Sequence, residues 1–267
     1  MAAMADDGLR IDEDAYDAEV ELHGGNMTAV HRRGDVVLRQ AGPWTETVQE
    51  VMRRAREAGV AGIPEPLGLA EDGREVVAFV PGEVPQYPMP SWVWHETVLR
   101  QAARLLRAWH DATADVRPVD PVWRLPAHEP EEVVCHNDFA PYNLVFDAAA
   151  DPPRLLGVID FDTMSPGPRI WDLAYLAYRL VPYLDEKDDE APAAEHRDAR
   201  LDLLMDAYGA DFARRDLFTA MSRRLVELAD ASEEQAERMG RNELVSDARM
   251  YREDAERVSA LALTSSG

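Results

Sequence analysis

Cysteine is nearly absent from this chain: Cys135 is the only one among 267 residues. A single cysteine excludes a disulfide within the chain, so the fold must be held by a packed core. It lies in an apolar run with Val133 and Val134, which favours a buried thiol over a reactive one. The sequence also lacks the H-E-x-x-H and paired Cys/His spacings of zinc sites, the G-x-S-x-G elbow of serine hydrolases and the Walker A loop.

Positive charge is scarce, and so are long apolar runs. The chain has 28 Lys and Arg against 51 Asp and Glu, a formal net charge of −23. Because nucleic acids and anionic membranes are bound by clustered Lys and Arg, this balance argues against both partners. Residues 1–17 lack the pattern of a signal peptide, and no run is long enough to cross a bilayer. We therefore expect a cytoplasmic protein. We also expect it to be a monomer or a dimer.

The first third of the sequence shows short apolar runs separated by glycine turns and one stretch of helical periodicity. Val48, Val51, Met52 and Ala55 recur at the spacing of one helix face, which predicts a helix over 45–58. Five segments have strand character and predict an antiparallel sheet. They are residues 19–22, 27–30, 35–39, 67–69 and 75–80.

A proline-rich connector begins at Pro81 and predicts a hinge between two lobes, 1–81 and 82–267. Ser91 can cap a long amphipathic helix after the connector. Short apolar strands are expected at 133–136, 144–146 and 155–159. Helices are expected over 170–184 and over most of 197–263.

Polar side chains with the spacing of a known catalytic loop follow the first of these later strands. The run His136-Asn137-Asp138-Phe139-Ala140-Pro141-Tyr142-Asn143 has the H-x-D-x-x-x-x-N spacing of the protein-kinase loop. Phosphoryl transfer needs a carboxylate beside the attacking hydroxyl and oxygen ligands that hold Mg²⁺ against the triphosphate. Asp138 suits the first role and Asn143 the second.

A second acidic element, Asp160-Phe161-Asp162, follows the strand over 155–159. A carboxylate at the end of a rigid strand is well placed to chelate a metal. Asp and Asn are also common turn residues at strand ends, so either element alone has a purely structural interpretation. Their occurrence together and in this order favours the catalytic one.

A third element, Ile170-Trp171-Asp172-Leu173-Ala174, follows a Gly-Pro turn. With all three, the chain resembles the aminoglycoside phosphotransferase and choline kinase superfamily, which is similar in fold to protein kinases. The resemblance implies an α/β (α+β) protein-kinase-like bilobal fold. A small nucleotide-binding lobe, 1–81, would carry an antiparallel sheet and one helix, and a larger helical lobe, 82–267, would bind the acceptor.

The resemblance also implies roles for the acidic residues of the second lobe. Asp138 would be the catalytic base, and Asn143 and Asp160 would be Mg²⁺ ligands that bridge the phosphates of ATP or GTP. Asp162 would be a further metal ligand, or else be solvated or face a cationic substrate. His136 and Asp172 would support the geometry of the loop.

In the first lobe, the resemblance makes Gly24-Gly25 the loop over the phosphates and places adenine against the backbone near Ala78 and Val80. Arg39 stands where relatives carry a lysine that contacts the α- and β-phosphates, a departure that leaves the donor, ATP or GTP, open. Its acidic partner would be Glu50, a match counted back from Ile63-Pro64, with Glu46 as the rival. Glu50 lies opposite the apolar stripe of its helix, so it faces either the cleft or bulk water.

Three functions stay open for the sequence. The first is a kinase for an aminoglycoside-type antibiotic, with acidic stretches at 111–115 and 185–190 attracting a cationic acceptor. The second is a kinase of the same superfamily for a metabolic alcohol such as choline, homoserine, a sugar or a hydroxylated amine. The third is a nucleotide-binding pseudokinase, which only the arginine in place of lysine supports.

Overall fold

The computed structural model describes residues 18–22, 29–182 and 191–264. Its first part is a five-stranded antiparallel sheet with the strand order β1-β2-β3-β5-β4. One helix, α1 (Thr45–Glu57), connects β3 to β4. This confirms the predicted sheet and helix. The strands are β1 (Val20–Leu22), β2 (Val30–Arg33), β3 (Val36–Arg39), β4 (Pro66–Leu69) and β5 (Glu75–Ala78).

Helix α1 buries the stripe that predicted it, since Val48, Val51, Met52 and Ala55 are all inaccessible to solvent or nearly so. A polar side chain fixes the helix to the sheet as well. The Gln49 amide nitrogen donates to the Gly68 carbonyl at 3.1 Å, and its oxygen accepts from the Gly68 N–H at 3.0 Å. This double hydrogen bond sets which residues of α1 face β4 and β5.

The predicted helix start at Ser91 was wrong. Residues Ser91–Trp94 form a 3₁₀ turn, and α2 runs over Glu96–Thr113. His95 has an extended backbone, with ψ 137°, so a continuous helix cannot pass through it. Its Nδ1 accepts from the Thr97 N–H at 3.1 Å and caps the helix instead.

Two two-stranded sheets and four α-helices follow α2 in the residues that the structure describes. Strand β7 pairs with β8 and β6 with β9, both antiparallel, and one continuous apolar core extends from α1 to the last helix. The segment Ser165–Gly167, predicted as a turn, forms β9. The bounds are β6 (Val133–Cys135), β7 (Leu144–Asp147), β8 (Arg154–Val158), β9 (Ser165–Gly167), α3 (Arg169–Leu180), α4 (Arg197–Tyr208), α5 (Arg214–Met239) and α6 (Asn242–Thr264).

The sheet region and the β7–β8 hairpin meet at two glycines. The Val158 N–H donates to the Gly62 carbonyl at 3.0 Å, and a Cβ on Gly157 would lie 2.4 Å from that carbonyl oxygen. Only glycine permits this close approach. It brings the end of β8 up to the sheet, whose central strand β3 ends at Arg39. Among the helices that the structure describes, none is both long and apolar enough to cross a membrane.

Candidate active site

The loop between β6 and β7 is held by one buried carboxylate from α3. Asp172 accepts hydrogen bonds from the His136 and Asn137 N–H groups at 2.6 and 2.8 Å, and its Oδ2 lies 3.1 Å from His110 Nε2. Burial alone would raise the pKa of Asp172, but the hydrogen bond from His110 and the nearby positive charge of Arg224 hold it below its usual range. The carboxylate therefore stays ionised and fixes the start of the loop.

His136 connects the same loop to the end of β8. Its Nδ1 accepts from the Asp138 N–H at 3.2 Å, and its Nε2 lies 3.1 Å from the Ile159 carbonyl oxygen. Burial lowers the pKa of the imidazole below its ordinary 6.5, so the neutral form prevails. In that form one ring nitrogen accepts and the other donates, as both contacts require.

The Asp138 side chain is oriented through both of its oxygens. Oδ1 accepts from the Tyr142 hydroxyl at 2.8 Å and Oδ2 from the Asn143 amide at 2.9 Å. The same amide nitrogen also donates to the Asp138 carbonyl at 2.9 Å. Within the described ranges, no hydrogen bond uses the Asn143 amide oxygen, so this oxygen remains available as a ligand atom.

Asp160 lies next to Asn143 because the two short strands bring them together. The Ile159 N–H donates to the Asn143 carbonyl at 2.9 Å, one residue before Asp160. Asp160 has left-handed backbone angles, φ 64° and ψ 66°, which an aspartate adopts more readily than most residues. Its side chain is 51% exposed. One carboxylate and one amide oxygen beside an open surface are a donor set that suits Mg²⁺.

Arg39 lies among three carboxylates, none of which belongs to the predicted partner. Its guanidinium contacts Glu75 at 2.6 Å, Asp160 at 2.9 Å and Asp162 at 2.6 Å. Glu50 instead pairs with Arg54 one turn along α1. The physical reason is register: Glu75 lies opposite Arg39 in the β3–β5 pair. Helix α1 presents Gln49 there, 3.1 Å from Glu75 Oε1.

Asp162 is the more buried of the two aspartates at the end of β8. It is 14% exposed and also lies 3.5 Å from Arg124. Burial raises its pKa, while the positive charge of Arg39 opposes part of that rise. The Arg124 guanidinium in turn lies 4.9 Å from the centroid of the Trp44 ring, at the start of α1. Asp162 therefore lies between two arginines.

The residues predicted to contact the nucleotide in the first lobe differ in whether their backbone groups are already hydrogen-bonded. The Ala78 N–H already donates to the Glu65 carbonyl at 2.8 Å. Val80, just past β5, forms no backbone hydrogen bond with any residue that the structure describes. Gly24-Gly25 lies outside the described residues, and so does the acidic stretch 185–190. In the other acidic stretch, Asp111 is paired with Arg107 and Arg169.

Sequence reasoning missed several residues around Asp138. Tyr142 occupies a variable position of the catalytic-loop pattern, and its hydroxyl lies 2.8 Å from that of Tyr175. Arg179 donates to the Tyr175 hydroxyl from Nε at 3.2 Å and from Nη2 at 2.9 Å. Tyr175 and Arg179 are four residues apart on α3, which places them on one helix face. That spacing was the available signal. For Glu75 and Arg124 the sequence contains no comparable signal of a role in the site.

The small antiparallel sheet with its helix and the larger helical part together have a kinase-like fold. A sequence profile of the phosphotransferase enzyme family matches residues 119–218. The trifolitoxin immunity protein of Rhizobium leguminosarum bv. trifolii is 32% identical over 210 residues, which are 75% of this chain and 77% of that protein. The chain belongs to the phosphotransferase enzyme family, whose relatives include the choline kinases and aminoglycoside phosphotransferases that it resembles.

Solved structures of similar fold share little sequence with the chain. Ethanolamine kinase of Plasmodium vivax superposes with a TM-score of 0.64 at 12% identity, covering 93% of this chain and 84% of that one. An aminoglycoside phosphotransferase, described as a complex with GDP and kanamycin, superposes with a TM-score of 0.62 at 13% identity, covering 92% and 95%. These likenesses confirm the α/β kinase-like fold.

Proposed function

We propose that this protein transfers the γ-phosphoryl group of a magnesium-bound nucleoside triphosphate to a hydroxyl of a small acceptor. The observation that carries the proposal is the arrangement of Asp138, Asn143 and Asp160. One carboxylate is held by two hydrogen bonds, and beside it an amide oxygen and a second, half-exposed carboxylate are available to a metal. Phosphoryl transfer depends on this division between orienting the hydroxyl and holding the phosphates.

The reaction follows from these positions. The acceptor hydroxyl donates to Asp138, and its oxygen forms a bond to the γ-phosphorus. The bond from that phosphorus to the β–γ bridging oxygen breaks, and the nucleoside diphosphate leaves with the electron pair. The hydroxyl proton passes to Asp138 and then to solvent. Mg²⁺, held by Asn143 and Asp160, would neutralise charge on the phosphates.

Arg39 is the cation that this proposal places on the α- and β-phosphates. Its Nη groups contact the two aspartates at the end of β8. We infer that Mg²⁺ and the phosphates replace these contacts, while Nε keeps its hydrogen bond to Glu75. An arginine fork can pair with two phosphate oxygens at once, so it can replace the lysine found in relatives.

The acceptor that the comparisons favour is a small antibiotic-type molecule. The support is the 32% identity to a trifolitoxin immunity protein, together with the fold shared with an aminoglycoside phosphotransferase. A metabolic alcohol is the second candidate, because the fold is shared equally with an ethanolamine kinase. The presence of Asp138, Asn143 and Asp160 argues against a pseudokinase, which only Arg39 in place of lysine supports.

The test is nucleoside diphosphate release with Mg²⁺ and ATP or GTP across aminoglycosides, peptide antibiotics, choline, ethanolamine, homoserine and sugars. The expected result is acceptor-dependent release and a product heavier by one phosphoryl group. Asp138→Asn should lower turnover by about 10³-fold. The control Asp147→Asn, at an exposed pair with Arg154, should not. Absence of diphosphate release with every donor and acceptor tested would favour the pseudokinase.

A further inference from the structure

Two arginines beside the catalytic loop have no carboxylate partner, although acids outnumber bases in this chain by 51 to 28. They are Arg179 on α3 and Arg224 on α5. In the part of the chain that the structure describes, no carboxylate oxygen lies within 4.0 Å of either guanidinium. Buried or half-buried charge without a counter-charge in direct contact is costly, so this pair calls for a physical explanation.

Arg179 has only neutral hydroxyls as hydrogen-bond acceptors. Its Nε and Nη2 donate to the Tyr175 hydroxyl, and Nη2 also donates to the Tyr251 hydroxyl at 2.9 Å. Its Nη1 donates to none of the described residues. Four tyrosine rings surround the guanidinium at centroid distances of 4.9 to 5.9 Å, those of Tyr142, Tyr175, Tyr178 and Tyr251.

A directed chain of hydrogen bonds connects Arg179 to the reacting centre. Arg179 donates to Tyr175, the Tyr175 hydroxyl meets that of Tyr142 at 2.8 Å, and Tyr142 donates to Asp138 at 2.8 Å. An acceptor whose hydroxyl contacts Asp138 therefore has Arg179 within reach of its far end. Tyr87, whose side chain is largely exposed, has its ring 6.3 Å from that of Tyr142 and adds an aromatic wall.

Arg224 adds a second positive charge, which lies against the Tyr175 ring. Its guanidinium lies 4.4 Å from the Tyr175 ring centroid, and its Nη2 donates to the Asn137 carbonyl. Its Nε is buried without a hydrogen bond. Tyr175 thus lies against two cations. The acids nearby are engaged elsewhere: Asp254 accepts from the Tyr178 hydroxyl at 2.8 Å and pairs with Arg257.

Arg200 shows what a purely structural arginine looks like in this protein. It is also buried without a carboxylate, but its Nη1 and Nη2 donate to the Trp94 and Leu180 carbonyls at 2.8 and 2.9 Å. Both ends of that fork are satisfied by backbone. Arg179 differs because its Nη1 donates to none of the described residues, and the hydroxyls that accept from its Nε and Nη2 belong to tyrosines, one of which connects to Asp138 through Tyr142.

We propose that Arg179 binds a carboxylate of the acceptor, so that the enzyme phosphorylates a small hydroxylated molecule with an acidic group. This inference rests on the proposed kinase function. It favours an acidic, aromatic-compatible acceptor over a polycationic one, because an ammonium would meet two guanidiniums here. A planar guanidinium recognises a carboxylate through paired N–H donors, and the free Nη1 supplies one of them. Arg224 strengthens the local positive potential.

The test compares an acid with its neutral amide. Calorimetry measures binding of 4-hydroxyphenylacetate and 4-hydroxyphenylacetamide to the full chain, with and without Mg-AMP-PNP. We expect the acid to bind about tenfold more tightly, which is the effect of one charged hydrogen-bonded contact. Arg179→Met should abolish this preference and Arg179→Lys should retain part of it. The control Arg249→Met, on the exposed face of α6, should keep it.

Equal binding of acid and amide, binding of neither, or an unchanged preference in Arg179→Met would overturn the inference. If Arg179 had a merely structural role, Arg179→Met would weaken the binding of acid and amide equally and lower the melting temperature. The ratio of the two dissociation constants would then stay unchanged. Failure of the kinase proposal is detected separately, as the absence of Mg²⁺-dependent binding of both AMP-PNP and a non-hydrolysable GTP analogue to the same protein. The two failures are therefore distinguishable.

Discussion

At the residue scale, the catalytic proposal depends on two hydrogen bonds to one carboxylate. Tyr142 and Asn143 each occupy one oxygen of Asp138, so the carboxylate has a single orientation. Burial raises the pKa of the Tyr142 hydroxyl well above its usual range. It therefore stays protonated at neutral pH and continues to donate to Asp138.

Removal of the Tyr142 hydroxyl should weaken catalysis without abolishing it. Tyr142→Phe deletes one neutral hydrogen bond, which contributes about 1 kcal/mol, so we expect turnover to fall roughly fivefold. Steady-state kinetics with the best acceptor of the panel measures the change. A loss as large as that of Asp138→Asn would mean that the hydroxyl itself takes part in the chemistry.

Arg39 makes a second prediction at this scale. Arg39→Met should weaken Mg-nucleotide binding by at least about tenfold, since a charged contact to phosphate is lost, and Arg39→Lys should recover part of it. Calorimetric titration measures both. The control is Arg33→Met, an exposed arginine at the end of β2 whose only described acid contact is Glu19 at 3.8 Å. Normal nucleotide affinity in Arg39→Met would remove this residue from the phosphate site.

At the element scale, α3 determines where the loop between β6 and β7 lies. Asp172→Asn replaces the buried carboxylate that holds two backbone N–H groups and His110. We expect the free energy of unfolding in urea to fall by roughly 3–5 kcal/mol, as for other broken buried pairs. Asp198→Asn, at an exposed pair on α4, should change it by less than about 1 kcal/mol. Equal effects would contradict a special role for Asp172.

Single elements could be predicted from the sequence, whereas contacts between elements could not. Helix α1 was predicted to within one residue because its apolar stripe is regular, and the catalytic-loop pattern is local in the chain. The partner of Arg39 was not predictable, because Glu75 reaches it through the register of two strands far apart in sequence.

At the scale of the whole molecule, stability should depend on pH through the buried site. The pKa of His136 lies below its unfolded value of 6.5, so below pH 6.5 the unfolded chain binds a proton that the folded chain does not. The stability that this group contributes is complete above pH 6.5 and is lost as the pH falls toward the folded pKa. Asp172 acts in the same direction in a lower window, below its ordinary 3.8.

The prediction is a free energy of unfolding that falls between pH 7 and pH 5, with a smaller slope in His136→Gln. His196→Gln is the control, because His196 is exposed on the surface before α4. Urea titrations at each pH measure the slope. An unchanged slope in His136→Gln would show that other groups cause the loss.

The central claim is that Asn143 and Asp160 hold a magnesium-bound nucleotide while Asp138 acts on the acceptor. Calorimetric titration of wild type, Asp138→Asn and Asp160→Asn with AMP-PNP and with a non-hydrolysable GTP analogue, each with and without Mg²⁺, tests it most directly. We predict Mg²⁺-dependent binding to wild type and Asp138→Asn, weakened by at least about tenfold in Asp160→Asn. Nucleotide affinity that is the same with and without Mg²⁺, or that is unchanged in Asp160→Asn, would contradict this assignment of the metal ligands.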